Sequence, residues 1–226
     1  MNHFTYFFIL AAALAGPLAL SFDKKVAFYK KWKYLFPAML LPAVFYIIWD
    51  IYFTAIGVWS FNENYITGIK LFNLPIEEVV FFFVVPYCCV FIYECIRFYF
   101  PHLQNRKIAD TILKVIAIIL LIVGVIFLKK IYTSSTFLLT EIFIACIFLF
   151  KKYFKNFDAA SFLVAYIIIL LPFLAVNGLL TSMPVVIYNN TENVGVRVAT
   201  IPIEDIFYGM LLILMNISIY EKLKNN

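Results

Sequence analysis

Two stretches of the chain place adjacent carboxylates at the start of a long apolar run. Leu74 to Glu94 opens L-P-I-E-E and closes Y-E, and Ile201 to Glu221 opens I-P-I-E-D and closes the same way. The copies lie 127 residues apart without a gap. Their acids are Glu77, Glu78, Glu204 and Asp205. A proline where a helix begins and acids in its first turn suit the positive end of a helix dipole. Each motif alone therefore fits a helix start as well as a site. Two features favour chemistry. Most apolar positions differ between the copies while the acids and prolines persist, and two adjacent acids exceed what a cap needs. Several carboxylates in one low-dielectric pocket cannot all be ionised, so one can donate a proton while a neighbour accepts it. The chemistry is general acid–base catalysis on a hydrophobic substrate.

The elements that hold these acids are membrane spans. The chain has 226 residues, of which 65% are hydrophobic and 14% charged. A soluble domain is nearer about half apolar and a quarter charged, and it could not hide this much apolar surface. Seven apolar stretches stand out, near 3–20, 34–55, 76–98, 110–128, 132–150, 160–181 and 200–221. They are continuous rather than alternating, which predicts helices instead of barrel strands. The expected class is an all-α protein with seven transmembrane helices.

Orientation follows from the basic residues. The first span ends near a signal-peptide-like Ala13-Leu14-Ala15, but no Lys or Arg precedes it. Five lysines follow instead: Lys24, Lys25, Lys30, Lys31 and Lys33. This is the pattern of an uncleaved anchor. Counting alternate loops, 14 of the 18 basic residues fall on one side, Arg97, Arg106 and Lys107 among them. The positive-inside rule then puts the N-terminus outside and the C-terminus in the cytoplasm, in the cell membrane. The net charge of +5 thus reads as topology and not as a nucleic-acid surface.

The motif belongs to a wider internal repeat. Between 50–99 and 177–226, ten of fifty positions are identical at offset 127, among them Val58/Val185, Asn62/Asn189, Gly68/Gly195 and Tyr93/Tyr220. Spans one to three recur as five to seven. Three spans repeated directly would invert the second copy, and the fourth span restores its orientation. The expected organisation is a first repeat in 1–105, a linker helix in 106–130 and a second repeat in 131–226, with two parallel three-helix units.

Depth along the helices adds further candidates. Asp50 lies 16 residues into the second span, roughly 24 Å from its inner end. Thr54 is one turn on, and Asn177 with Thr181 repeats the arrangement. Phe81, Phe82 and Tyr208 lie one turn below the motif acids, where a ring face could stabilise a cation. Glu94 and Glu221 follow the first acids by 17 residues, roughly 25 Å along a helix, and are expected to pair with loop lysines or arginines. Cys88, Cys89, Cys95 and Cys146 have no metal-ligand spacing and read as packing residues. No dinucleotide fingerprint, P-loop or G-x-S-x-G is present.

Asp50 to Glu94, with W-S-F-N, T-G-I-K and P-I-E-E, resembles the first half of the membrane-integral, cofactor-free lycopene cyclases. Asn177 to Glu221, with N-G-L-L-T, V-R-V and I-P-I-E-D, is similar to the second half. Here both halves sit in one chain. The resemblance implies cyclisation of the ψ end groups of lycopene to β-ionone rings, without cofactor or metal. It implies an acyclic carotenoid arriving from the lipid phase and association with other enzymes of carotenoid synthesis. The motif acids would supply the acid and base, with Asp50 added by depth. A small-solute transporter with the same repeat architecture is the alternative.

Overall fold

In the computed structural model, residues 3–104 and 107–225 are described. The 105/106 boundary between the first repeat and the linker, and the loop cation Arg106, lie outside them. Among the described residues there are seven α-helices: α1 (Thr5–Leu20), α2 (Trp32–Ala55), α3 (Ile76–Tyr99), α4 (Lys107–Ile126), α5 (Ile131–Leu149), α6 (Ala159–Ser182) and α7 (Ile203–Lys224). Six are long and apolar enough to cross a membrane, so the chain is an all-α, multi-pass membrane protein. The exception is α1. Its 16 residues extend about 24 Å, short of a bilayer core of about 30 Å. The seven expected spans are thus seven helices, of which six reach spanning length.

Three short strand pairs lie between the helices. Strands β1 (Trp59–Phe61), β2 (Lys70–Leu71) and β3 (Leu74–Pro75) follow α2, and β4 (Val186–Tyr188), β5 (Arg197–Val198) and β6 (Ile201–Pro202) follow α6. All six, like the bounds of α2 and α6, recur at offset 127. The hairpins β2–β3 and β5–β6 turn through residues in the left-handed region, Phe72 at φ 57° and Ala199 at φ 56°. Gly68 and Gly195 precede them at φ 83° and 79°. A side chain is disfavoured in that region, which explains why these glycines persist.

The loops also grip one another. β1 pairs antiparallel with β4, with Ser60 opposite its own counterpart Ile187. The Asn62 N–H donates to the Val185 carbonyl at 3.0 Å, and reciprocally Asn189 N–H to Val58 at 2.8 Å. Four of the retained positions are therefore one symmetric set of bonds.

Helices α3 and α7 form the centre. They have the largest buried share of any spanning helix and touch each other as well as α2 and α6. At their far ends Arg97 pairs with Glu221 and Lys224 with Glu94. Arg97 and Lys224 are repeat counterparts, as are the two glutamates. Lys31 also reaches Glu94, and the Tyr220 hydroxyl donates to it at 2.8 Å. The pairing expected for Glu94 and Glu221 is present, and it joins α3 to α7.

Candidate active site

The prolines do not stand inside their helices. Pro75 and Pro202 occupy the cap positions, with ψ 143° and 141°, so that α3 and α7 start at the residue after each. The next two residues of each motif then point different ways.

The first acid of each pair anchors a loop. Glu77 accepts the Thr67 N–H at 2.7 Å, and Glu204 accepts the Val194 N–H at 2.9 Å and the Thr133 hydroxyl at 2.5 Å. Thr67 and Val194 are repeat counterparts just before the left-handed glycines. Both glutamates are fully buried, and the second oxygen of each has no partner among the described residues. Their partners lie outside their own helices, so they do not serve as ordinary helix caps.

The second acid of each pair faces a shared chamber. Glu78 from α3 and Asp205 from α7 line it together with Asp50 from α2. Phenols hold all three. Tyr6 from α1 donates to Glu78 at 2.5 Å, and Tyr208 donates to Asp50 at 2.5 Å. Asp205 takes two, from Tyr132 at 2.5 Å and from Tyr188 at 2.8 Å, one on each oxygen. Burial, reinforced by the neighbouring Asp205, pushes the Tyr188 phenol well above its ordinary pKa. Tyr188 therefore keeps its proton, and stays a donor, beyond the pH at which a free phenol loses it.

An aromatic wall closes the chamber. Trp59 sits 5.2 Å from Tyr132, 6.0 Å from Tyr188 and 6.2 Å from Tyr208 between ring centroids. The β1–β4 pairing puts Trp59 opposite Tyr188, so the strands deliver two walls at once. The free volume inside is about 40 Å³, against the roughly 10–15 Å³ that one water needs.

The remaining candidates divide. Phe81, Tyr208, Asn177 and Thr181 line the chamber. Thr181 donates to the Asn177 carbonyl at 2.8 Å and shares a hydrogen bond with Thr200. Phe82 does not reach the chamber but packs on Tyr46 at 5.4 Å. Thr54 lies outside it as well, with its hydroxyl unpartnered among the described residues.

Sequence reasoning missed Tyr6, Tyr132 and Tyr188. The first two are equivalent at offset 126, not 127: the Tyr6 N–H donates to the Tyr65 carbonyl, as the Tyr132 N–H does to Glu192. At offset 127 Tyr6 aligns with Thr133 and the pair disappears.

The family model for lycopene cyclase matches residues 3–96 and again 129–223. The chain belongs to the lycopene cyclase family. The two matched segments start 126 residues apart and end 127 apart, the same one-residue shift that the tyrosines show. Two proteins named lycopene beta-cyclase, from two strains of Halobacterium salinarum, are each 42% identical to it over 60 residues. That match covers 24% of this chain and 25% of each relative, so it spans about a quarter of the relatives' length. No solved structure matches the chain. Within this lycopene cyclase family member, both matched segments contribute carboxylates to one chamber.

Proposed function

We propose that the chain is a lycopene β-cyclase, converting ψ end groups to β-ionone rings by proton transfer alone. The observation that carries this reading is the chamber, where Glu78, Asp50 and Asp205 meet inside an aromatic wall. Glu78 accepts one phenol on one oxygen and keeps the other for a proton. It donates that proton to the terminal double bond of the substrate, leaving a tertiary cation. The C5–C6 double bond attacks the cation, the ring closes, and the positive charge moves to C5. Loss of the C6 proton to an anionic carboxylate then forms the ring double bond. Asp205 is that base, since two phenols on its two oxygens suit an anion. Asp50, held by the Tyr208 phenol, lines the same chamber, and the faces of Trp59 and Tyr208 stabilise the cation. One proton enters and one leaves, so the reaction needs no oxidant or reductant. Glu77 and Glu204 act as positioning residues by fixing the loops that carry the wall.

The chamber needs both halves. Supporting this are the matched strands at offset 127, the β1–β4 pairing and the reciprocal ion pairs. We take the architecture as two parallel three-helix repeats, 1–105 and 131–226, around a linker helix in 106–130. With α1 counted as a short seventh crossing, the basic loops favour an N-terminus outside and a C-terminus in the cytoplasm, in the cell membrane, with lycopene entering from lipid. A small-solute carrier would want its polar groups at mid-membrane. Here they gather where α3 and α7 begin.

Expression in a bacterium that accumulates lycopene, with pigments separated by chromatography, tests the function. Monocyclic and bicyclic carotenes are expected. Inserted protein that leaves lycopene untouched would refute it.

A further inference from the structure

The chamber holds about 40 Å³ of free volume, so a ring with three methyl groups can form there only where neighbouring space adds to it. One such space adjoins it. A groove of about 250 Å³ runs between α1, α3 and α6 and shares Phe81, Phe173 and Asn177 with the chamber. Along α3 it extends from Phe81 to Ile92, eleven residues or about 16 Å. Its only polar side chains are the Asn177 amide, at the chamber end, and the thiols of Cys88 and Cys89.

The repeat shows that this opening is one-sided. Groove residues are small where their counterparts are large: Ala13 against Leu139 at the helix-one offset of 126, and Val84 against Leu211, Cys88 against Met215 and Val176 against Trp49 at offset 127. The filling on the far side is visible. Trp49 packs 5.3 Å from Tyr208, and Tyr46, the counterpart of Phe173, packs 4.7 Å from it. On the groove side Phe173 lies over Gly209 instead, so close that a Cβ there would meet its ring at 2.8 Å. Phe82, the counterpart of Gly209, fills that space in the other half with Tyr46.

We infer that the α1–α3–α6 groove is the single binding channel for the polyene of the substrate, and that Phe173 over Gly209 is its gate into the acid chamber. This rests on the cyclase reading. A long, rigid, apolar polyene fits a narrow apolar channel of this length, which would hold the part of the chain nearest the reacting end. The end group passes Phe81 and Phe173 and meets Glu78, one helical turn from Phe81 on α3. With a single door, a two-ended substrate must leave and re-enter reversed to be cyclised twice, so the one-ring product is released as an intermediate.

The test reads binding and turnover separately on the full chain in lipid nanodiscs. Binding is followed by the visible circular dichroism that lycopene acquires in a chiral site, and turnover by chromatography. Val176→Trp, which installs the residue found in the other half, is expected to lower both by about tenfold, the size of an overpacking penalty. Cys88→Met, a milder filling, should lower both by less, and Met215→Cys on the far side should change neither. Gel filtration and helical circular dichroism check folding. Wild-type-like binding and turnover in both filled variants would overturn the channel. If the wild type binds lycopene without cyclising it and Val176→Trp abolishes that binding, the cyclase reading fails and the channel stands. In single-hit conditions γ-carotene should appear free before β-carotene; its absence at every time point would contradict release through one door.

Discussion

At the scale of the residue, the adjacent acids of each motif do unlike work. Glu78 and Asp205 face the chamber, whereas Glu77 and Glu204 hold loop N–H groups. Asp205→Asn and Glu78→Gln are each expected to lower ring formation by at least about a hundredfold, as for loss of a general acid or base. Pigment analysis at matched protein levels reads this, and half-maximal activity in either would remove the assignment. Tyr188→Phe removes one of two donors to Asp205 and should slow turnover by roughly ten- to a hundredfold, in line with roughly 1.5–3 kcal/mol for a hydrogen bond to a charged group. Because the Tyr188 phenol is pushed above its ordinary range, it loses its proton only at still higher pH. An alkaline limb near pH 10 in wild type that Tyr188→Phe abolishes would contradict that placement. Glu78 and Asp205 were legible in the sequence because both copies kept an acid there, and Asp50 because of its depth in the second span. The phenols were not, because tyrosines at span ends look like interfacial belt residues and a one-residue shift between α1 and α5 hid the match of Tyr6 with Tyr132.

At the scale of the element, the hairpin loops decide whether the chamber closes. Gly195 at φ 79° has open space around it, so Gly195→Ala meets strain in the backbone alone, about 1–2 kcal/mol. Glu204→Gln weakens two bonds to a buried carboxylate and should lower stability by a similar amount while leaving measurable ring formation. Thermal unfolding in detergent checks both, with pigment analysis alongside. A Glu204→Gln protein as stable as wild type and fully inactive would return Glu204 to the catalytic group. Helix positions and the recurrence of the motif could be read from apolar runs and offset alone. The β1–β4 pairing could not. Three-residue strands carry no period of their own, and their partner lies in the other half of the chain.

At the scale of the whole molecule, two symmetric sets of contacts clamp the halves: the strand pairing at one end of α3 and α7, and the reciprocal ion pairs at the other. A chain cut in the loop between α3 and α4 and expressed as two fragments should therefore reassemble and cyclise lycopene. Cut protein that copurifies poorly unless the fragments are tethered would show the clamp to be insufficient. Glu221→Gln should weaken this reassembly, since it leaves Arg97 without its charge partner in a site where Glu221 is 1% exposed. The central claim is that a ring forms when a carboxyl proton is added to carbon, with no electron transfer. It is tested most directly by turnover of lycopene in deuterated water by the purified chain without added nucleotide, followed by mass spectrometry of the carotene. The account predicts one deuterium fixed in each ring formed. Product without deuterium, or product that appears only with a reduced cofactor, would contradict it.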